Sequence, residues 1–564
     1  MGLFIRKPLS HLLAEAGEGG RGSLKRVLGP WGLIAFGIGV IVGAGLFSIT
    51  GLVAAEYAGP AITLSFAIAA VGCCFAGLCY AEFASMIPIA GSAYTYSYAT
   101  MGELVAWIIG WDLVLEYAVA ATLVSISWSS YVTHFLAGVG IVLPEAFTAG
   151  PWNGGICNLP AAGVVVLMSL FLVCGTAGSA RLNNVIVFLK LSIIFVFIFL
   201  GWRYINAENY HPYVPENTTG VFGEFGWSGV LRGAAVVFFA YLGFDSVSTA
   251  AQETRDPKRN MPIGILGSLV VCTLLYVLFA HVMTGVANYR DFSGQEGIAP
   301  VATAISRMGT VVADGTVVPA FPWLNRLVVI AIIFGYCSVI LVQLMAQSRI
   351  FMSMGSDGLL PGFFARVHPR FRTPVGNNLV FMLLISTMAA VVPPDVAGEM
   401  VSIGTLFAFV LVCAGVVIVR RTMPEVPRGF KVPLVPLVPV LGILVCLSLM
   451  LFLPADTWLR LVIWMLLGLD IYGLYGMRRS KMAAADTEVL PDGTFHRRGT
   501  SVYHLICLVL GFLCLVTGFW HQDTVGWNAD TTLFGVACVF GLAHIAYYSV
   551  RMLFYSRRKD RLTR

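Results

Sequence analysis

The sequence predicts an all-α integral membrane protein with about fourteen membrane-spanning helices. Of its 564 residues, 58% are hydrophobic and only 11% are charged, whereas an ordinary soluble domain carries about 25% charged residues. The apolar residues fall into long blocks, and about 20 such residues allow a helix to cross a hydrocarbon core roughly 30 Å thick. The basic residues gather between alternate blocks, as they do in the cytoplasmic loops of membrane proteins.

We number the apolar blocks as spans 1 to 14 in chain order. They cover approximately residues 31–54, 60–87, 103–130, 161–179, 183–202, 228–252, 262–286, 325–352, 377–393, 399–419, 436–453, 457–477, 501–520 and 532–555. The first block begins near Trp31 and is too long for the apolar part of a signal peptide. We therefore expect it to remain in the protein as a true span.

The placement of charge predicts that both termini are cytoplasmic, because most of the 35 Lys and Arg residues then lie on the cytoplasmic side. Lys190 lies within a span. The basic residues expected outside are Arg203, Arg232, Arg290, Arg307, Arg326 and Arg460. We expect a multi-pass protein of the plasma (cell inner) membrane whose surroundings are lipid. Nucleic acid is not expected as a partner, because basic clusters that alternate with apolar spans are typical of topological anchors.

The sequence offers little support for catalytic chemistry. Of the 12 Cys residues, only Cys157 lies in a predicted external loop, so no disulfide framework is expected. There is no C-x-x-C pair, His cluster or phosphate-binding glycine loop, and we therefore expect no metal, no cofactor and no enzyme. A channel would need a polar pore lining, and the spans contain few aligned polar residues.

Two spans have sequences that disfavour a continuous helix. The first span contains four glycines between Gly37 and Gly45, and each costs about 1 kcal/mol relative to Ala in a helix interior. The sixth span places Gly243 beside Asp245 near its middle. We expect non-helical backbone over Ile41–Gly45 and Phe239–Leu242, facing one central cavity. An alternative for the first span is close helix packing through Gly39-x-x-x-Gly43.

The two interruptions are five spans apart, which is the pattern of an inverted repeat of spans 1–5 and 6–10. Paired interrupted spans at corresponding positions indicate the binding site of a transporter. We divide the chain into a cytoplasmic N-terminal segment (1–30), a ten-span transport core (31–421), four additional spans (422–556) and a basic tail (557–564).

An unwound stretch exposes backbone groups and two half-helix ends of opposite partial charge, which together suit a zwitterion such as an amino acid. We expect free amides to hold the carboxylate and carbonyl oxygens of the sixth span to hold the ammonium group. The candidate carboxylate-binding residues are Ile41, Gly43, Ala44 and Gly45. The candidate ammonium-binding residues are Phe239, Ala240 and Leu242.

Three charged residues lie inside spans: Glu116, Lys190 and Asp245. A charge at a helix centre costs about 3 kcal/mol on an insertion scale, so each should face a partner or a wet cavity. Lys190 is either fixed in an ion pair with Glu116 or Asp245, or a proton carrier. We favour the proton carrier, since a buried lysine can lose its proton. Asp245 can also serve as a helix cap.

Several segments resemble a known family. They are Gly37–Gly45, Ile87–Tyr96, Phe238–Gln252 with the Asp256-Pro257 that follows, Gln347–Phe351 with Asp357–Pro361, Ser402–Leu406 and Arg428–Pro433. In this order they resemble the amino acid, polyamine and organocation superfamily, and within it the cationic amino acid transporter group.

The resemblance implies a five-plus-five inverted-repeat fold with the substrate on broken spans 1 and 6. It implies that Lys190 takes the place of the sodium ion of related carriers, that Glu116 lies near the coupling network and that Ile340 lies near the substrate side chain. Gln252 departs from the family pattern, since a second acidic residue is expected beside Glu253.

The expected function is proton-coupled uptake of cationic or small neutral L-amino acids. Within transport, the alternative is an exchanger of amino acids or polyamines. A cationic side chain would need an acidic residue in the distal pocket, for which Glu116 is a candidate, whereas Ile340 indicates an apolar pocket. Fourteen spans resemble the longer members of the cationic group.

Overall fold

The computed structural model of the protein describes residues 2–8, 28–87, 92–174, 179–248, 251, 254–293, 299–311, 317–369, 373–482, 487–489, 495–497, 500–525 and 531–562. Most of the described chain is helical. Its described strands form two short antiparallel hairpins, Gly309–Val311 with Val317–Pro319 and Thr487–Val489 with Phe495–Arg497.

A helix lies at each of the fourteen predicted spans. Span 1 consists of Pro30–Ile41, Gly45–Ile49, Thr50–Val53 and Ala54–Ala58, and span 6 of Gly226–Val237, Phe238–Tyr241 and Phe244–Val247. Spans 2 to 5 are Ile62–Met86, Glu103–Gly138, Leu159–Cys174 and Ser179–Gly201. Spans 7 to 10 are Pro257–Val286, Pro322–Ser356, Val375–Val391 and Pro394–Thr422. Spans 11 to 14 are Leu437–Leu451, Ala455–Ile471 with its extension to Arg479, Thr500–Val525 and Thr532–Leu562.

Within the described residues, ten helical stretches are long and apolar enough to cross a membrane. The stretch Gly45–Met86 combines the second half of span 1 with span 2. Shorter apolar helices fill the remaining positions: Pro30–Ile41, Leu159–Val173, Val375–Val391 and Leu437–Leu451. The predicted all-α membrane fold is confirmed.

The spans pack in two groups around the broken helices. Span 7 packs along span 1 and span 2, and span 2 packs along the first half of span 6. Span 3 packs along span 8 and span 10. At one end of the first group, the Arg255 amide donates to the Leu28 carbonyl (2.9 Å) and so ties the residues before span 1 to those after span 6. Span 5 contacts both groups, through spans 1 and 7 and through span 8.

Span 12 attaches the additional spans to span 3. The indole of Trp111 donates to the Trp464 carbonyl (2.8 Å), the indole of Trp464 donates to the Trp111 carbonyl (3.1 Å), and the two rings stack 4.5 Å apart. Spans 13 and 14 pack on each other and on span 12. Tyr548 and His544 of span 14 both contact the Asp470 carboxylate, at 2.7 and 2.8 Å.

Candidate substrate and coupling site

The interruption of span 1 is two residues long. The first half-helix ends at Ile41, Val42 takes an extended conformation (φ −73°, ψ 104°), and helical backbone resumes at Ala44 (φ −61°, ψ −28°). The prediction of a break is therefore correct, but it is narrower than Ile41–Gly45. Because the second half-helix begins at Ala44, its first amides lack intrahelical acceptors and are available to an anion.

The interruption of span 6 lies at Leu242 and Gly243. Phe238–Tyr241 form a 3₁₀ turn, Leu242 is extended (ψ 137°), and Gly243 has a φ of +112° that favours glycine. The break is thus shifted towards the end of the predicted segment Phe239–Leu242. The Phe239 carbonyl accepts from the Leu242 amide (3.0 Å), and a carbonyl oxygen retains a second lone pair for another donor.

The two interruptions lie against each other. A Cβ atom at Gly45 would lie 2.3 Å from the Ala240 Cα, and one at Gly243 would lie 2.7 Å from a Val40 methyl carbon. Gly45 therefore has a packing role. The helix-packing alternative named Gly39 and Gly43 instead, where a Cβ atom would lie 2.5 Å from a Val187 methyl carbon and 3.3 Å from a Val339 methyl carbon. The Tyr276 hydroxyl of span 7 lies 2.9 Å from the Ile41 carbonyl and 2.8 Å from the Ala240 carbonyl. One hydroxyl proton thus serves both broken spans.

Lys190 binds the end of the first half-helix. Its ammonium group donates to the carbonyl oxygens of Gly39 (2.9 Å) and Val42 (3.0 Å), and the residue is only 2% exposed. These carbonyls lack amide partners four residues onward because the helix stops at Ile41. A cation also complements the negative end of the half-helix dipole. The observed partners are carbonyls rather than the carboxylates of the ion-pair alternative.

The two acidic residues have different surroundings. The Asp245 carboxylate accepts a hydrogen bond from the Tyr117 hydroxyl, and the backbone of Gly243 and Ser246 lies beside it. In the described part of the chain, neither carboxyl oxygen of Glu116 has a hydrogen-bond partner. The Thr405 hydroxyl lies beside Glu116 but donates to the Val401 carbonyl (2.9 Å).

Asp112 extends this acidic face by one helical turn. It is fully buried, and its carboxyl oxygens likewise have no partner among the described residues. A Cβ atom at Gly404 of span 10 would lie 3.4 Å from one of them. Asp112 is not among the residues predicted from the sequence, although its spacing of four residues from Glu116 places both on one helix face. Tyr117 and Tyr276 were also missed, because their contacts join distant spans.

Span 8 contributes an apolar wall beside the first interruption. A Cβ atom at Gly43 would lie 3.3 Å from a Val339 methyl carbon, and Ile340 is fully buried next to Val339. Gln252 and Glu253, and most of the loop after span 2 (88–91), lie outside the described residues. Among the residues that the structure describes, no group of three His, Cys, Asp or Glu side chains is placed to hold a metal.

Comparison with known proteins identifies the family. The sequence profile of the amino acid permease family matches residues 28–469, which include both broken spans and Lys190. The chain belongs to the amino acid permease family. The predicted resemblance is confirmed, and the permease is a membrane transporter of amino acids rather than an enzyme.

Relatives of the permease differ in their named substrates. A branched-chain amino acid permease of Bacillus subtilis (strain 168) is 42% identical over 484 residues, which cover 85% of this chain and 99% of the relative. A methylthioribose transporter of the same organism is 41% identical over 85% of this chain and 98% of the relative. Human cationic amino acid transporter 4 is 32% identical over 75% of this chain and 63% of its own length.

Proposed function

We propose that the permease takes up L-amino acids with small neutral or cationic side chains together with protons, and that Lys190 carries the coupling proton. The observation that carries this proposal is the position of the Lys190 ammonium group on the carbonyl oxygens of Gly39 and Val42. A titratable group at that point contacts the interruption of span 1 directly. Its protonation state can therefore change the shape of the site.

The substrate is proposed to lie across the two interruptions. Its carboxylate would bind the free amides at the start of the second half-helix, over Gly43–Gly45. Its ammonium group would bind carbonyl oxygens of Phe239, Ala240 and Leu242 at the end of the 3₁₀ turn. The support is the direct contact of the two broken spans at Gly45 and Ala240, beside the two interruptions.

The substrate side chain is proposed to face Val339 and Ile340. Both are buried and apolar, which favours a neutral side chain. The branched-chain permease relative agrees with this preference, while the methylthioribose transporter shows that substrates diverge at a similar identity. A cationic side chain would have to reach Glu116, which faces Thr405 of span 10.

Coupling is proposed to depend on how the proton changes the interactions of Lys190. Charged donors form stronger hydrogen bonds than neutral ones, so the ammonium form stabilises the contacts with Gly39 and Val42 more than the amine does. A bound proton shifts a carrier only through such a difference between its states. Glu116 and Asp245 are proposed as the acidic part of the coupling network.

The proposed setting is the plasma membrane, with both termini in the cytoplasm. Residues 31–421 are proposed to form the transport core, and residues 422–556 to add four spans outside the repeat. The grouping of basic residues between alternate spans supports this orientation, and the contacts of span 12 with span 3 give the additional spans their anchor.

The test is uptake of a panel of labelled neutral and cationic amino acids into proteoliposomes that contain no internal substrate. The membrane potential is clamped at zero and the lumen is about one pH unit more alkaline than the medium. One unit corresponds to about 1.4 kcal/mol, so one proton per substrate supports about tenfold accumulation of small neutral amino acids. Accumulation that requires internal substrate and ignores the pH gradient would establish an exchanger instead.

A further inference from the structure

The first residues of the chain are docked on the helical bundle. Residues 2–8, which we call the strap, begin with a short 3₁₀ turn, Gly2–Phe4, in which Gly2 and Leu3 are buried. Leu3 is 0% exposed and belongs to the main hydrophobic core. Complete burial of Leu3 shows that this segment packs on the bundle.

Backbone hydrogen bonds fix the strap at the start of span 3. The Lys7 amide donates to the Tyr98 carbonyl (3.1 Å), and the Glu103 amide donates to the Ile5 carbonyl (3.1 Å). Gly102 lies between Tyr98 and Glu103, the two residues that bond to the strap. It has a φ of +100°, and a Cβ atom there would lie 2.5 Å from the Phe4 carbonyl carbon. A glycine at position 102 thus allows the close approach of the strap.

An ion pair ties the strap to span 8. The Lys7 ammonium group lies 3.0 Å from the Asp357 carboxylate, just beyond the last residue of span 8, and their side chains are only 12% and 14% exposed. The Tyr94 hydroxyl donates to the other oxygen of Asp357 (2.7 Å). The strap therefore joins the start of span 3, the end of span 8 and the short helix Ser92–Thr100.

These contacts are placed where the two groups of spans are connected. The chain passes from span 2 to span 3 through the helix Ser92–Thr100, which packs on spans 3 and 10 and also contacts the second half of span 6. Alternating access requires relative motion of the two groups around the site. We propose that the strap is a latch that closes this end of the permease, the predicted cytoplasmic end, and that it releases in every transport cycle.

The latch is held by few contacts, as reversible release requires. Its buried part is two residues, and Phe4 is already 40% exposed. Its ion pair is partly exposed, and such pairs contribute modestly to stability. Residues 9–27 separate the strap from span 1, so release of the strap does not require span 1 to unfold.

Thiol labelling tests whether the strap is docked and whether the ion pair holds it. In a Leu3→Cys background, a membrane-impermeant maleimide should label residue 3 slowly, because labelling follows the open population. The rate is read on the peptide that contains residue 3, apart from the native cysteines such as the partly exposed Cys157. Adding Lys7→Ala should raise the labelling rate about fivefold, as loss of a partly buried ion pair of about 1 kcal/mol predicts. Adding Arg6→Ala instead is the matched control, because the structure shows no ion pair for Arg6 within the described residues. Equal labelling rates in all three proteins would overturn the latch.

Cross-linking tests whether release is required. Lys7→Cys and Asp357→Cys are combined and joined by a short bis-methanethiosulfonate reagent that dithiothreitol removes. Amino acid uptake by the joined protein should fall more than about tenfold and recover on reduction. The variants with only Lys7→Cys or only Asp357→Cys should respond to the reagent no more than the parent protein, which carries the 12 native cysteines. Full uptake by the joined protein would show that the strap is a static anchor. Both tests are independent of proton coupling, so their failure leaves the proposed symport untouched.

Discussion

Lys190 shows how one side chain can complete a helix end inside a membrane. The sequence predicts that this lysine needs a partner, since an isolated charge within a span is costly. It does not identify the partners, because the carbonyls of Gly39 and Val42 become available only where the helix ends at Ile41. A carboxylate partner was the alternative that the residue types offered.

Replacing Lys190 should separate substrate binding from coupling. Lys190→Ala should abolish accumulation driven by a pH gradient, from about tenfold to no accumulation, because the titrating group is gone. Lys190→Arg should fail in the same way, since arginine keeps its charge at any accessible pH. Uptake under an imposed pH gradient and substrate counterflow are measured for both variants. If either variant accumulates substrate with normal pH dependence, Glu116 becomes the residue to test.

Gly43 tests the carboxylate position. Gly43→Val should reduce amino acid binding by more than about tenfold while the protein stays folded and inserted, because the side chain would occupy the place of the carboxylate. Binding is measured on purified protein by scintillation proximity. Gly163→Val is the matched control, since a Cβ atom at Gly163 meets nothing within 4 Å.

A double variant identifies the cause of any loss of amino acid binding in the Gly43→Val protein. A Cβ atom there would lie 3.3 Å from Val339, so crowding of span 8 is the competing explanation. If Gly43→Val combined with Val339→Ala regains normal binding, the glycine serves helix packing and the carboxylate position is wrong.

At the scale of the element, the glycine-rich segments predict that spans 1 and 6 are interrupted but not where each interruption begins and ends. Ala44 and Gly45 resume the helix in span 1, and the 3₁₀ turn Phe238–Tyr241 delays the break in span 6 to Leu242 and Gly243. These limits depend on the contact between the two spans. Local propensity cannot specify a contact between residues about 200 positions apart in the chain.

Gly45→Ala should destabilise the contact between the interruptions. The added methyl group would lie 2.3 Å from the Ala240 Cα, which is backbone and cannot rotate away. Overpacking of this kind costs about 1–3 kcal/mol. The thermal midpoint in detergent should fall for Gly45→Ala and stay within error for Gly163→Ala. An unchanged midpoint for Gly45→Ala would mean that the two spans can move apart without cost.

At the scale of the whole molecule, hydropathy predicts all fourteen spans because each is a long apolar block. The docking of residues 2–8 could not be predicted in this way, since seven residues without periodicity carry no packing signal. The division of the chain into a transport core and additional spans stays a prediction. The contacts of spans 13 and 14 with span 12 provide a way to test it.

Removing residues 500–564 should leave transport intact. The candidate site is built from spans 1, 3, 5, 6, 7, 8 and 10. Spans 13 and 14 instead pack on span 12 through residues such as Tyr503, whose hydroxyl donates to the Leu469 carbonyl (2.8 Å). Uptake driven by a pH gradient should persist in the truncated protein, with a lower thermal midpoint because Asp470 loses its contacts with His544 and Tyr548. Loss of uptake in a truncated protein that remains folded would place spans 13 and 14 within the transport unit.

An experimental structure with a bound neutral L-amino acid would show whether the substrate binds across the paired interruptions of spans 1 and 6. We expect the substrate carboxylate within about 3.2 Å of amides in Gly43–Gly45. We expect the ammonium group on carbonyls of Phe239–Leu242 and the side chain against Val339 and Ile340. A substrate bound elsewhere, with both interruptions unoccupied, would show that the proposed binding site is wrong.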